Sequence, residues 1–205
     1  MKGPIIQMDL STKQQSRLAL LLVFAIVSFL GAQPPPEFPV IEKGPTGVHR
    51  LHLTEPMEKA VAAFVRVNPG FSAANCQSLG LADPACTEAY RSWEEIARSV
   101  KAEPQFPYAV WGDFNGDGVL DFVIPFFSRT NVNKFGWHTW ELVVFQGSRV
   151  GSFRPVVAMK DTWGDCFDGM IFHPGRKQVE YWCRSAGGSF RWTGSAFVGK
   201  PMRGD

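Results

Sequence analysis

The chain has 205 residues, of which 45% are hydrophobic and 20% are charged, and its formal net charge is +2. This balance is typical of a globular protein, and the length suits one domain or two small ones. It excludes a disordered chain, a collagen and a membrane protein with many spans. Because no block of basic residues occurs, we expect no nucleic-acid partner.

The N-terminal region 1–32 has the pattern of a secretory signal peptide. Basic residues precede an apolar run over 18–30, and small residues follow it. Such a signal combines a positive region, a short apolar stretch and small residues at its end, and the run is shorter than the ~20 residues of a membrane-spanning helix. We predict cleavage after Ala32, so that the membrane is involved only during export and the mature chain is secreted or periplasmic. An uncleaved signal anchor is the alternative.

A proline-rich linker over 33–47 leads into a single predicted domain over 48–205 that begins with two helices. Thr54 can cap the first helix, over 55–67, in which apolar residues recur at i, i+3, i+4 and i+7. The second helix, over 84–101, carries a similar apolar stripe.

The four cysteines suit an oxidising compartment, because an even number in an exported chain favours two disulfides. Four cysteines allow three connectivities, and we favour the two pairs that are close in sequence. No Cys-x-x-Cys occurs, so a thioredoxin-like site or a zinc knuckle is not expected. Buried free thiols are the other interpretation. The predicted pairs are Cys76 with Cys86 and Cys166 with Cys183.

From residue 106 onward the pattern changes to strands. Runs of β-branched and aromatic residues are separated by Gly, Asn and Asp at spacings of roughly 10–15 residues, which is typical of an antiparallel meander. Helices followed by strands predict an α+β fold, with the two N-terminal helices packed on one mainly antiparallel sheet. No unit of 20–50 residues repeats, so a full propeller is not expected.

One segment, 113–121, has the pattern of a cation-binding loop and reads Asp-Phe-Asn-Gly-Asp-Gly-Val-Leu-Asp. Oxygen-bearing side chains occupy positions 1, 3, 5 and 9, and Val119 at position 7 offers its carbonyl. Gly118 at position 6 permits a sharp turn. Three carboxylates at such short range repel one another unless a cation lies between them. An EF-hand is excluded, because Ile124 stands where the bidentate Glu is required and the flanks have the composition of strands.

With the strand that follows it, this loop resembles the calcium loop of the FG-GAP and VCBS repeats, which occur in integrin-type propellers and in many exported bacterial proteins. The resemblance covers a single copy over about residues 108–127, a tenth of the chain, and implies no propeller. It implies a structural calcium ion. A metal-free hairpin turn is the alternative. The implied ligands are Asp113, Asn115, Asp117, the Val119 carbonyl and Asp121.

Two clusters give weaker signals. Asp161, Asp165 and Asp168 are close enough in sequence to form a second cation site or a carboxylate pair, but their spacing matches no loop template, so a polar turn is the favoured interpretation. His49 and His52 lie at i and i+3 but have no evident carboxylate partner in the local sequence. We expect these histidines to be solvated or packed.

Tryptophans in the strand region are the remaining candidates for ligand contact. Most should lie in the core, but aromatic rings on an exposed sheet face can stack on sugars. Trp137 and Trp140 follow a polar loop over 128–136. We therefore predict a possible ligand surface at these two residues.

Taken together, the patterns predict an exported calcium-binding domain that acts as a non-enzymatic binding or interaction module for a protein or a carbohydrate. No motif of a catalytic nucleophile or of a metalloprotease occurs, and we predict no catalytic residue. The alternative is a secreted hydrolase or enzyme inhibitor that acts on cell-wall or extracellular polymers, with the Asp161, Asp165 or Asp168 carboxylates at a cleft.

Overall fold

In the computed structural model, the part of the chain that is described contains eleven strands in three antiparallel sheets. Within the described ranges, no helix has the length and apolar composition that crossing a bilayer requires. The described residues are 37–43, 49–74, 91, 93–99, 105–132, 138–161, 168–183 and 186–201. The elements are β1 (Val40–Lys43), β2 (His49–His52), α1 (Glu55–Val67), β3 (Phe71–Ala73), α2 (93–99), β4 (Val110–Gly112), β5 (Asp121–Val132), β6 (His138–Gly147), β7 (Phe153–Asp161), β8 (Gly169–His173), a short 3-10 helix (Pro174–Arg176), β9 (Gln178–Cys183), β10 (Ala186–Trp192) and β11 (Phe197–Pro201).

The predicted α+β fold, with two N-terminal helices on one sheet, is wrong. The described residues are mostly β, and their strands divide into a five-stranded sheet of β3 to β7, a four-stranded sheet of β8 to β11 and a hairpin of β1 and β2. Helix and strand periodicities show which faces are apolar but not where one sheet ends and the next begins. The sequence pattern therefore merged two sheets that are separate in the structure.

Strand β5 lies between two hydrophobic cores, one on each of its faces. Residues 121–128 are all buried, and successive side chains enter two different cores. Phe122, Ile124 and Phe126 pack with Met57 and Phe64 of α1. The other core lies between the two larger sheets and includes Val123, Phe127, Trp140, Leu142, Val144, Met170, Phe172, Val179, Tyr181, Phe190 and Phe197.

The five-stranded sheet is thus a middle layer, with α1 on one face and the four-stranded sheet on the other. Ring contacts join α1 to this sheet, since the centroids of Phe64 and Phe126 are 4.6 Å apart. Trp93 of α2 contacts the four-stranded sheet, where its Nε1 donates a hydrogen bond to the carbonyl oxygen of Met170 at 2.8 Å. Gly169 makes room for this indole, because a Cβ at that position would overlap the ring of Trp93.

Pro125 lies inside β5, where the ladder can accommodate it. Along one edge of β5, β4 pairs with 121–123 and β3 pairs with 126–128, so Pro125 falls between the two partners. Its carbonyl accepts a hydrogen bond from the backbone N–H of Ala74 at 2.7 Å on this edge. Since proline has no N–H to donate, the break between β3 and β4 is a position that it can occupy without leaving a ladder bond unmade.

Candidate metal loop and adjoining cleft

The predicted cation loop connects two paired strands. Gly112 at the end of β4 pairs with Asp121 at the start of β5, so the loop connects two adjacent strands at residues that lie directly opposite each other. Phe114 anchors the loop in the core between the sheets, where its ring lies 4.7 Å from that of Phe172. Leu120 packs against the core under α1. The loop is therefore fixed to both cores, while Asp113, Asn115 and Asp117 stay at least partly exposed.

Asp113 organises the first half of the loop. Its Oδ1 accepts hydrogen bonds from the backbone N–H groups of Gly116 at 2.6 Å and Asp117 at 3.0 Å, and its Oδ2 accepts one from Gly118 at 3.1 Å. Gly116 and Gly118 have φ values of +83° and +80°. Glycine adopts this left-handed conformation at little cost, so the two glycines allow the backbone to wrap around one carboxylate.

Asn115 and Asp117 organise the second half. The Asn115 Oδ1 accepts from the Asp117 N–H at 2.9 Å, and the Asp117 Oδ1 accepts from the Val119 N–H at 2.8 Å. The two side chains also touch, because Asn115 Nδ2 donates to Asp117 Oδ2 at 3.0 Å. These bonds are those of successive Asx turns, and they hold both side chains on the loop.

Asp121 differs from the other acidic residues because it is fully buried. Its Oδ1 accepts a hydrogen bond from the N–H of Gly147 at 2.8 Å, and its Oδ2 accepts one from Phe114 at 3.1 Å. Burial raises the pKa of this carboxyl to about 6; the two backbone hydrogen bonds oppose the rise, and the charges of Asp117 and Asp113 add to it. Asp121 therefore joins the loop to the end of β6.

The donor chemistry of the loop fits a hard cation, since every candidate ligand atom is an oxygen. The donors do not close on one point: within the described ranges, no three His, Cys, Asp or Glu side chains converge to hold a metal ion. Asp121 turns both of its oxygens toward backbone N–H groups, and Asn115 turns its amide nitrogen toward Asp117. Because a carboxylate or amide oxygen has two lone pairs, an oxygen that accepts one of these hydrogen bonds keeps a second lone pair for a cation.

A positively charged side chain also reaches the loop from the four-stranded sheet. Lys177 follows the 3-10 helix and has a φ of +47°. A Cβ placed on Gly116 would overlap the Lys177 Nζ, which shows that the ammonium group lies directly against the loop backbone. It offsets part of the negative charge of the loop.

A cleft of about 440 Å³ lies beside the loop. Asn115 and Asp117 form one wall, the turn from β6 to β7 forms another, and Trp192 of β10 forms a third. The sequence gives no sign of this cleft, because its residues are far apart in the chain and no motif joins them. The spacing of the loop residues could indicate only the first wall.

The predicted tryptophan surface is wrong at Trp140, which is only 2% exposed. Its ring packs edge-on against Tyr181 at 5.4 Å, in the core between the two sheets. Thr139 and Glu141 flank Trp140, so period-2 alternation places the ring on the same face as Leu142 and Val144, which the four-stranded sheet covers. Trp137 lies outside the described residues.

The weaker candidates occupy separate places. His52 Nε2 lies 2.8 Å from the Glu42 carboxylate across the β1–β2 hairpin, so it has a partner that the local sequence did not reveal. The position of His49 is described only as backbone of β2.

Of the three clustered aspartates, Asp168 donates its backbone N–H to the carbonyl of Trp182 at 2.9 Å. Asp161 ends β7 and its side chain is not among those described, while Asp165 lies outside the described residues.

The charge of Asp168 affects the pKa of Tyr108. Burial raises the pKa of the Tyr108 phenol to about 12, and the Asp168 carboxylate contributes to this rise.

Cys76, Cys86 and Cys166 lie outside the described residues, and Cys183 is described as the last backbone position of β9. The disulfide pairing therefore stays a prediction.

Comparison with known proteins gives no match, whether with family models, with curated proteins or with solved structures.

Proposed function

We propose that this chain is an exported domain in which the loop over 113–121 binds a structural calcium ion and which acts as a non-enzymatic binding module. The observation that carries the proposal is the loop itself, in which side-chain oxygens recur at alternate positions and two left-handed glycines wrap the backbone around Asp113. The signal-like N-terminus supports export.

Calcium is the cation that suits this set of donors. It takes six to eight oxygen ligands in flexible arrangements, whereas zinc prefers nitrogen and sulfur. Calcium sites in extracellular modules bind with dissociation constants of about 10⁻⁴–10⁻³ M, which is sufficient where calcium is plentiful. A bound divalent cation would also relieve the repulsion among Asp113, Asp117 and Asp121.

A structural role follows from where the loop is attached. Phe114 and Leu120 hold the loop to the two cores, and Asp121 bonds to Gly147 at the end of β6. An ion that neutralises the loop therefore stabilises the junction of β4, β5 and β6. At 1 mM calcium, a dissociation constant of ~2 × 10⁻⁴ M corresponds to a stabilisation of roughly 1 kcal/mol, or a rise in Tm of about 2–4 °C for a chain of this size.

The test is a thermal melt in EGTA and then in millimolar calcium, for the wild-type protein and for Asp117→Ala. We expect calcium to raise the Tm of the wild type by about 2–4 °C and to leave that of Asp117→Ala unchanged. Glu58→Ala is the matched control, since it removes an exposed carboxylate from α1, away from the loop, and should keep the calcium shift. A Tm that does not respond to calcium in the wild type would refute the proposal, and so would a full shift in Asp117→Ala.

A further inference from the structure

The cleft beside the loop combines residues from both larger sheets. Strand β6 contributes Gln146, the turn that follows it contributes Ser148 and Ser152, and β10 contributes Trp192. Its volume of about 440 Å³ lies in the range of ~300–1,000 Å³ that is usual for sites of small ligands. The cleft therefore has the volume of a site for a small ligand and is open to solvent.

The polar groups that line the cleft suit a ligand with many hydroxyl groups. Asn115 and Gln146 provide amides, Asp117 a carboxylate and Arg154 a guanidinium group. Each of these planar groups offers two neighbouring donors or acceptors, which match adjacent hydroxyls that both donate and accept. The lining contains one negative and one positive side chain, Asp117 and Arg154, so it favours a neutral ligand over an anion or a cation.

Part of this lining is already held in place. Arg154 Nη2 donates to Gln146 Oε1 at 2.7 Å, and Gln146 is only 8% exposed. The hydroxyl oxygens of Ser148 and Ser152 are 2.7 Å apart, which fixes the turn between β6 and β7. Polar groups that are ordered before binding lose less entropy when a ligand arrives.

Trp192 supplies an apolar surface in the same cleft. One side of its indole packs on Phe197, with ring centroids 4.9 Å apart, and the residue remains partly exposed toward the cleft. An aromatic ring braced in this way gives a flat surface against which the C–H face of a sugar ring can pack.

We infer that this cleft binds a neutral carbohydrate, which stacks on Trp192 and exchanges hydrogen bonds with Asn115, Asp117, Gln146 and Arg154. The inference rests on the proposed function, because Asn115 and Asp117 belong to both the cation loop and the cleft wall. An ion that orders the loop also orders this wall, so calcium should strengthen carbohydrate binding, and the carbohydrate should strengthen calcium binding by the same factor.

The experiment screens the protein expressed from the full chain against an array of defined neutral and acidic oligosaccharides, in millimolar calcium and in EGTA. The neutral oligosaccharide that is retained is then titrated by calorimetry. We expect Arg154→Ala and Trp192→Leu to weaken its binding about tenfold or more, equivalent to ~1.4 kcal/mol. Arg191→Ala is the matched control and should bind as the wild type does, because Arg191 is exposed on the same strand as Trp192 but does not line the cleft. Trp192→Phe keeps a ring against Phe197 and should retain part of the affinity, which separates stacking from a folding defect.

The outcomes distinguish the two proposals. If no neutral oligosaccharide binds while calcium still raises the Tm, the carbohydrate site is refuted and the calcium proposal stands. If binding depends on Arg154 but calcium changes neither the affinity nor the Tm, the cleft is supported and the calcium loop is refuted. Retention of acidic oligosaccharides alone, or equal loss of binding in Arg154→Ala and Arg191→Ala, would also overturn the inference.

Discussion

Asp121 shows how far a single residue can be understood from its sequence position. Its place nine residues into the loop marks it as an oxygen donor, since the spacing is local. Its hydrogen bond to Gly147 joins residues 26 positions apart and depends on how β5 pairs with β6. The donor type was therefore readable from the sequence, whereas the burial that governs the charge of the carboxyl was not.

That burial leads to a pH dependence in the absence of calcium. Because the folded protein raises the Asp121 pKa to about 6, it binds this proton more tightly than the unfolded chain does. The contribution to the free energy of unfolding is complete below the ordinary pKa of the carboxyl and is lost as the pH rises through about 6. In EGTA, we expect the free energy of unfolding of the wild type, minus that of Asp121→Asn, to fall by about 3 kcal/mol between about pH 3 and pH 7.

Urea unfolding at a series of pH values would measure this difference. The comparison with Asp121→Asn is needed because other carboxylates, such as the exposed Glu55 whose pKa is lowered chiefly by its hydrogen bond with Lys59, titrate in both proteins. A stability difference that stays constant with pH would show that Asp121 is not the titrating group.

The exposure of the tryptophans could not be predicted from their sequence positions. Trp140 and Trp192 both lie in strands, yet one is buried against Tyr181 and the other lines the cleft. Thr139 and Glu141 flank Trp140 and place it on the same face as Leu142 and Val144, but alternation does not show how completely a second layer covers that face. Only the packing of the second sheet decides which ring is exposed.

At the scale of elements, local pattern was sufficient for the first helix and insufficient for the sheets. The apolar stripe of α1 repeats at helical spacing, and Met57 and Phe64 are its buried members. The run over 122–127 is apolar without alternation because α1 covers one face and the four-stranded sheet covers the other. A strand that is covered on both faces carries no information about which face belongs to which layer.

The attachment of α1 can be measured with a matched pair of variants. Phe64 is 7% exposed and contacts Phe126 and Phe145, whereas Val67 in the next turn is 70% exposed. We expect Phe64→Ala to reduce the free energy of unfolding by about 3–5 kcal/mol through lost burial and a cavity. Val67→Ala should change it by less than about 0.5 kcal/mol. Urea titrations monitored by circular dichroism would give both values, and similar costs for the two variants would contradict this packing of α1.

At the scale of the whole molecule, the two cores share the same pair of strands. Side chains of β5 and β6 enter the core under α1 and, alternately, the core between the sheets. The cleft depends on this arrangement too, since it joins Asn115 in the loop to Trp192 in the other sheet. Short-range spacing could reveal the loop, but a site assembled across two sheets has no signature in the sequence.

Shared strands should make the two cores unfold together. Loss of either core removes one covering of the same strands, so neither core can persist as an independent unit. We expect Phe64→Ala, in the core under α1, and Phe190→Ala, in the core between the sheets, each to lower the midpoint of one common transition. Far-ultraviolet circular dichroism reports the backbone, and fluorescence reports buried tryptophans such as Trp140, so the two signals should coincide in both variants. If Phe64→Ala shifted only an early change in circular dichroism and left the fluorescence transition in place, α1 would be a separate folding unit, and calcium bound at the loop would then stabilise only the sheet on which the loop is built.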